Sequence, residues 1–148
     1  MTEKIYTCYF DGSHRKWNGT EDMGIGCTIL DQDHNVVYEQ AAHLDGKGSV
    51  NYAEYSACVE VLKWLMKNEY DQAFIRGDSR LVINQLNGEW QIREGTYVDK
   101  AIEAKAILEN LCCVRLKWTS RNNNIRADEL SKIGLAGTNY ECVGEGCN

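Results

Sequence analysis

The stretch Ala73-Phe74-Ile75-Arg76-Gly77-Asp78-Ser79-Arg80-Leu81-Val82-Ile83-Asn84-Gln85-Leu86-Asn87-Gly88 changes character at Asp78. Ala73–Gly77 reads as a short strand, and Ser79–Leu86 as a short helix halted by Asn87-Gly88. A strand that passes directly into a helix belongs to an α/β sheet, whose functional edge lies where strands end. Asp78 sits at that edge. It also has a plain alternative, because Asp-Ser before a helix suits an N-cap.

Outward from this junction the chain keeps alternating. Upstream, Lys4–Phe10, Met23–Leu30 and Asn35–Leu44 read as an antiparallel meander, followed by an amphipathic helix over Asn51–Asn68. Downstream come a helix over Val98–Leu111, a strand over Cys113–Trp118 and a last helix over Ile125–Leu135. No linker, repeat or low-complexity segment interrupts them. The expectation is one domain over residues 1–137 and a short Gly/Cys-containing tail, loose in structure, over 138–148.

Composition bounds the function. The chain has 148 residues, 43% hydrophobic and 26% charged, enough for one domain with its own core. MTEKIYTCYF lacks the apolar core and cleavage site of a signal peptide, and no apolar run is long enough to cross a bilayer. Seven cysteines, an odd number, fit mostly buried thiols in a reducing cytoplasm. Cys142 and Cys147 in the tail could pair or bind zinc, but they lack the further ligands a tetrahedral site needs. The net charge of −6 argues against a broad basic face for nucleic acid. Carboxylates neutralised by metal would bring that charge close to balance.

Four acidic residues stand where elements meet: Asp11 and Asp78 at strand ends, Glu54 and Asp128 at helix starts. The helix of Glu54 carries a polar stripe of Ser56, Glu60, Lys63 and Lys67. At about 100° per residue, Glu54 lies roughly 150° from that stripe, on the face of Cys58, Val61 and Leu65. A carboxylate pointing inward is costly unless paired or metal-bound. Each acid also has an ordinary reading: a turn at Asp11-Gly12, a capping box from Asn51 to Glu54, and a macrodipole partner at Asp128. Converging carboxylates would require divalent cations, which points to phosphoryl transfer on nucleic acid.

The surrounding motifs are more specific. Tyr9-Phe10-Asp11-Gly12-Ser13, Asn51-Tyr52-Ala53-Glu54-Tyr55-Ser56-Ala57, the Gly77–Gly88 segment and Arg126-Ala127-Asp128-Glu129-Leu130-Ser131 resemble, in order, four motifs of the type 1 ribonuclease H family. The resemblance covers Tyr6 to Leu135. It implies an α/β fold of the ribonuclease H-like kind: a mixed five-stranded sheet with helices on both faces, in the order βββαβααβα. It further implies a monomeric endoribonuclease cutting the RNA strand of RNA–DNA hybrids to 5′-phosphate and 3′-hydroxyl ends. Asp11, Glu54, Asp78 and Asp128 would be catalytic, holding two Mg²⁺ (or Mn²⁺) ions about 4 Å apart. One ion would activate water and the other would stabilise the leaving oxygen. Hard oxygen donors suit these metals. Gly12, Ser13, Asn51 and Ser79 would touch the substrate, reading 2′-hydroxyls or phosphate.

The chain departs from the family pattern in three places. Ser120-Arg121-Asn122-Asn123-Asn124 holds no histidine where many members have one, and Arg121 could steer phosphate or assist release instead, or be an ordinary solvated loop arginine. Arg80 stands where many have glutamine, which would either turn base-edge readout into a phosphate contact or leave the side chain merely facing solvent. The segment from Gly88 to Val98 is short, so the basic protrusion of some relatives is expected to be missing. Trp64 and Trp118 read as core, whereas Trp17 and Trp90 read as loop residues that could stack on bases, and His14-Arg15-Lys16 would border the groove. Another nuclease on this fold, or a non-catalytic nucleic-acid-binding module, is the alternative function.

Overall fold

β-Branched and aromatic residues recur through the first 45 positions, and the chain forms three long strands there: β1 (Ile5–Trp17), β2 (Thr20–Leu30) and β3 (Val36–Asp45). Then follow α1 (Val50–Lys67), β4 (Gln72–Gly77), α2 (Arg80–Leu86), α3 (Val98–Glu109), β5 (Val114–Trp118), α4 (Ile125–Leu135) and β6 (Tyr140–Val143). The computed structural model describes residues 3–46 and 48–147, so the outermost residues of the expected 1–137 and 138–148 division lie outside the described residues.

The strands form one mixed sheet in the order β5-β4-β1-β2-β3-β6. Pairing is antiparallel from β1 through β2 and β3 to β6, and parallel across β1, β4 and β5. Parallel neighbours need a crossover, and the helices provide it. Strand parity then sets the layers. Gly24 and Gly26 of β2 turn toward the backbone of α4, whereas Gly12 of β1, paired with Ile25, turns toward α1. The helices therefore lie on both faces, as expected. The main core is packed beneath α1, with Tyr55, Leu62 and Leu65 against Ile75, Val82, Ile83 and Ala101.

Three expectations are corrected. The sheet has six strands, because the tail is not loose: Tyr140–Val143 pairs with Tyr38–Ala41 of β3. Gly137, at φ 99°, reverses the chain after α4 and returns it along that edge. Next, β1 does not stop at Phe10. Asp11 pairs with Gly26 inside a strand that reaches Trp17, so Asp11-Gly12 is no turn and Trp17 is no loop residue. The turn lies at Asn18-Gly19, with φ of 50° and 78°, the left-handed pair that a two-residue hairpin requires. Finally, the cap of α1 is Ser49, which accepts from the Tyr52 amide at 3.1 Å. Asn51 lies inside the helix, which removes the capping-box reading of Glu54.

Smaller differences follow from burial. Ser56 leaves the solvated stripe and donates to the Tyr52 carbonyl at 2.8 Å. Only Cys8, Cys27 and Cys58 are buried, whereas Cys112 and Cys113 are exposed and the tail cysteines are half-buried. Trp64 meets Tyr6 edge-on at 5.0 Å, as a core residue should.

The glycines of β2 set how closely α4 can approach. A Cβ on Gly26 would lie 2.5 Å from the Ala127 carbonyl oxygen and overlap the Ser131 amide, both rigid backbone. Gly26→Ala is expected to lower unfolding stability by about 1–3 kcal/mol, as overpacking does, and urea titration with far-UV circular dichroism measures it. A variant as stable as wild type would show that α4 can stand farther from the sheet.

Candidate active site

Glu54 enters the site from the first turn of α1, where Gly12 lets the helix come within contact of β1. A Cβ on Gly12 would overlap the backbone of Ala53 and Glu54. In its place the Gly12 amide donates to Glu54 Oε1 at 2.9 Å. Glu54 and Asp11 are each only 5% exposed, deep for carboxylates. Asp78 follows the last residue of β4, half-buried, with Ser79 rather than Asp78 capping α2 through Val82 N. Asp11, Glu54 and Asp78 each bring an oxygen within 4.8 Å of the others.

Asp128 stands apart from that trio. It lines the same cleft from the first turn of α4, but Lys132 Nζ lies 2.9 Å from one of its oxygens and Arg121 3.7 Å from the other. Ser131 joins the two sides, with its hydroxyl 3.1 Å from Asp11 Oδ2, 2.8 Å from the Asp128 carbonyl and 2.7 Å from Ser13 Oγ. Asn124 anchors the loop ahead of α4. Its amide donates to the Phe10 carbonyl at 2.9 Å, next to Asp11, and its own carbonyl receives the Asp128 amide at 3.1 Å.

Electrostatics separates these carboxylates. Burial pushes Asp11 up to about 7, with the neighbouring Asp78 charge adding to it against a hydrogen bond from Glu54. Burial and the Asp11 charge raise Glu54 well above the usual carboxylate range. Asp128 is held below that range: partial burial opposes this, and Lys132, a hydrogen bond from Asp11 and Arg121 outweigh it. Glu54 Oε2 is buried and has no hydrogen-bond partner among the described residues. An orphaned carboxylate oxygen among like charges, with only hard oxygen donors around it, fits a divalent cation such as Mg²⁺ or Mn²⁺.

The cleft has a volume of about 640 Å³, and Asn51, Ser79 and Arg121 reach its wall. Gly12 reaches it too, but its amide is committed to Glu54, and the Ser13 hydroxyl faces Ser131. The Arg80 guanidinium lies 3.8 Å from the centroid of Trp118, whose indole N–H donates to the Asp78 carbonyl at 3.1 Å. Trp118 is thus both core and cleft wall. Sequence reasoning missed Lys132, Ser131 and Asn124. Lys132 carried a readable signal, four residues after Asp128 on one helix face, whereas Ser131 and Asn124 meet Asp11 and Phe10 only through the fold.

Like charges at this depth burden the protein that holds no cation. Asp11→Asn is expected to raise its stability by about 1–2 kcal/mol in EDTA, relieving buried repulsion as active-site replacements often do. The same change should shrink the upward shift in melting temperature that millimolar Mg²⁺ or Mn²⁺ gives. Thermal unfolding with and without metal measures both effects. A metal shift of wild-type size in the variant would exclude Asp11 as a ligand.

Comparison with known proteins agrees with this geometry. A family model described as reverse transcriptase-like matches residues 9–134. Ribonuclease HI of Halobacterium salinarum is 30% identical over 127 residues, 86% of this chain and 62% of that protein. The bifunctional protein Rv2228c of Mycobacterium tuberculosis is 26% identical over 112 residues, 76% of this chain. The chain spans only 31% of that mycobacterial relative. Among solved structures, RNase H1 of Halobacterium salinarum superposes with a TM-score of 0.79 at 27% identity, covering 90% of this chain and 99% of that one. LC11-RNase H1 in complex with an RNA/DNA hybrid gives 0.78 at 27% identity, covering 88% and 96%. The carboxylates, the sheet order and these matches converge: the chain belongs to the reverse transcriptase-like family and has the ribonuclease H fold.

Proposed function

We propose that this protein is a metal-dependent endoribonuclease that hydrolyses the RNA strand of RNA–DNA hybrids, leaving 5′-phosphate and 3′-hydroxyl ends. The observation that carries the proposal is the trio of Asp11, Glu54 and Asp78, with oxygens within 4.8 Å of one another on the wall of an open cleft. Asp11, Glu54 and Asp78 would hold two Mg²⁺ or Mn²⁺ ions, with Asp128 as the fourth ligand once Lys132 gives way. When bound, such ions supply an activated water and neutralise charge on the departing 3′ oxygen.

The chain's own groups do the remaining work. The Gly12 amide fixes Glu54 in position, and Ser131 fixes Asp11 relative to α4. Trp118 holds the Asp78 main chain from the β5 side. Arg121 and Lys132 place two cations at the rim, where a phosphodiester would enter. Asn51 and Ser79 offer an amide and a hydroxyl to the RNA strand, the chemistry that reads 2′-hydroxyls. The Arg80 guanidinium, held over the Trp118 ring, would be placed for a phosphate oxygen. Every one of these residues lies within 1–137, which we assign as the catalytic domain, acting as a monomer. Three buried free thiols suit a reducing, cytoplasmic setting. Among the described residues no helix is long and apolar enough to cross a membrane.

The test is cleavage of an end-labelled RNA–DNA hybrid with Mg²⁺ or Mn²⁺, beside single-stranded RNA and duplex DNA. Cutting is expected only in the RNA strand of the hybrid, and Asp78→Asn should lower it by more than about a hundredfold. Binding without cutting under either metal would instead indicate a nucleic-acid-binding module.

Salt dependence gives a second check. The loop between α2 and α3 has no helix, and Arg93 is its single basic residue from Asn87 to Tyr97. Few phosphates can be neutralised there. The log–log slope of hybrid affinity against salt should therefore be clearly shallower than about −8. A slope that steep would require a basic surface elsewhere.

A further inference from the structure

Past the carboxylates, β1 outruns the sheet. Its last pair with β4 is Phe10↔Gly77, and the pairing of β2 with β3 ends at Asp22↔Asp45. Arg15–Glu21 therefore projects as a two-stranded ribbon carried by β1 and β2 alone, closed by the Asn18-Gly19 turn. The ribbon is ordered by more than pairing: the Thr20 hydroxyl donates to the Trp17 carbonyl, and His14 lies 2.8 Å from Glu21 at its base.

Trp17 stands at the tip and is 69% exposed, the most exposed of the chain's large apolar side chains among the described residues. Beside it, Lys16 is exposed and forms no ion pair among the described residues, while Arg15 is 3.5 Å from Asp22. An indole so exposed beside a cation buries little within the chain. It does match a nucleic acid, which offers flat faces and phosphates together.

Continuity with the cleft identifies the occupant. Asp11, Ser13, Arg15 and Trp17 alternate along one strand and share a face, and His14, two residues before Lys16, lines the cleft. At about 3.4 Å per residue, Trp17 lies roughly 20 Å from Asp11 along β1. That is about six base steps of a duplex.

We propose that the Arg15–Glu21 ribbon is an arm that grips the nucleic acid about six base steps from the cleaved bond. Trp17 would lie against sugar and base faces and Lys16 against a phosphate. This rests on the hybrid-nuclease reading, and it adds a binding element outside the metal cluster, with duplex length as its selective consequence.

The test compares two hairpin-closed duplexes that share one short ribonucleotide window. One has about ten base pairs on each side of the window, and the other about three, too few to reach the tip. With Mg²⁺, Trp17→Ala should raise KM on the long duplex about five- to tenfold at unchanged kcat, and leave the short one unaffected. Trp17→Phe should recover most of the loss, and Lys16→Ala should reduce the salt slope on the long duplex by about one. The melting temperature of Trp17→Ala should stay close to wild type, since most of the side chain is exposed. Equal KM for wild type and Trp17→Ala on the long duplex would overturn the arm while leaving the nuclease intact. If wild type cuts neither duplex, the nuclease reading fails and the arm falls with it.

Discussion

Two buried carboxylates, Asp11 and Glu54, stand side by side against their own repulsion. Asp11 and Glu54 come from different layers, a central strand and the helix above it, and repel each other wherever both are charged. Their own chemistry draws them together only through a hydrogen bond that requires one of them to keep its proton. The apolar packing of α1 on the sheet holds them in place, together with one directed bond from Gly12 to Glu54. The fold thus stores an arrangement that a divalent cation relieves, and this is how a scaffold preorganises a charged site.

The glycines show how that arrangement is reached. Gly12 admits α1 to β1, and Gly24 and Gly26 admit α4 to β2, each at a spacing that a methyl group would prevent. The two helices that carry Glu54 and Asp128 are thereby brought against opposite faces of the same strand pair. Ser131 then bridges Asp11 to the Asp128 main chain, and Asn124 ties the start of α4 to Phe10. Asp128 nonetheless differs from the other three. Two cations accompany it, it is held ionised, and it stands outside the compact trio. One cluster therefore contains both a proton-favouring pair, Asp11 and Glu54, and an ionised carboxylate with Lys132 as its counter-ion.

Aromatic residues divide by what lies beneath them. Tyr55 and Tyr97 stack 5.8 Å apart, and both share Gln85 in a buried network joining α1 and α2 to the loop before α3. Trp118 is pinned between Asp78 and Arg80. Trp17 is mostly exposed, because the ribbon that bears it extends past the strands that flank β1 and β2. Rings of one chemical type thus serve as core, as cleft wall and as an exposed tip, and sequence separates only the first from the others.

Local chemistry made much of this protein readable. The strand-to-helix change at Asp78, the inward face of Glu54 on α1 and the order of four acidic motifs are short-range patterns, and each survives in the fold. Elements whose form depends on distant partners were misread. β6 forms because the edge of β3 offers unpaired backbone groups to a tail with little strand character of its own. The ribbon beyond Asp11 is polar on both faces, so no burial pattern marks it as strand. The cap of α1 shifted from Asn51 to Ser49, one residue before the helix, a choice set by backbone geometry. Short-range pattern was enough to place four carboxylates along one edge of an α/β sheet. That three of them crowd together while Asp128 stays with its cations follows from distances across layers, which are fixed by helix packing on glycines and which no pattern along the chain encodes.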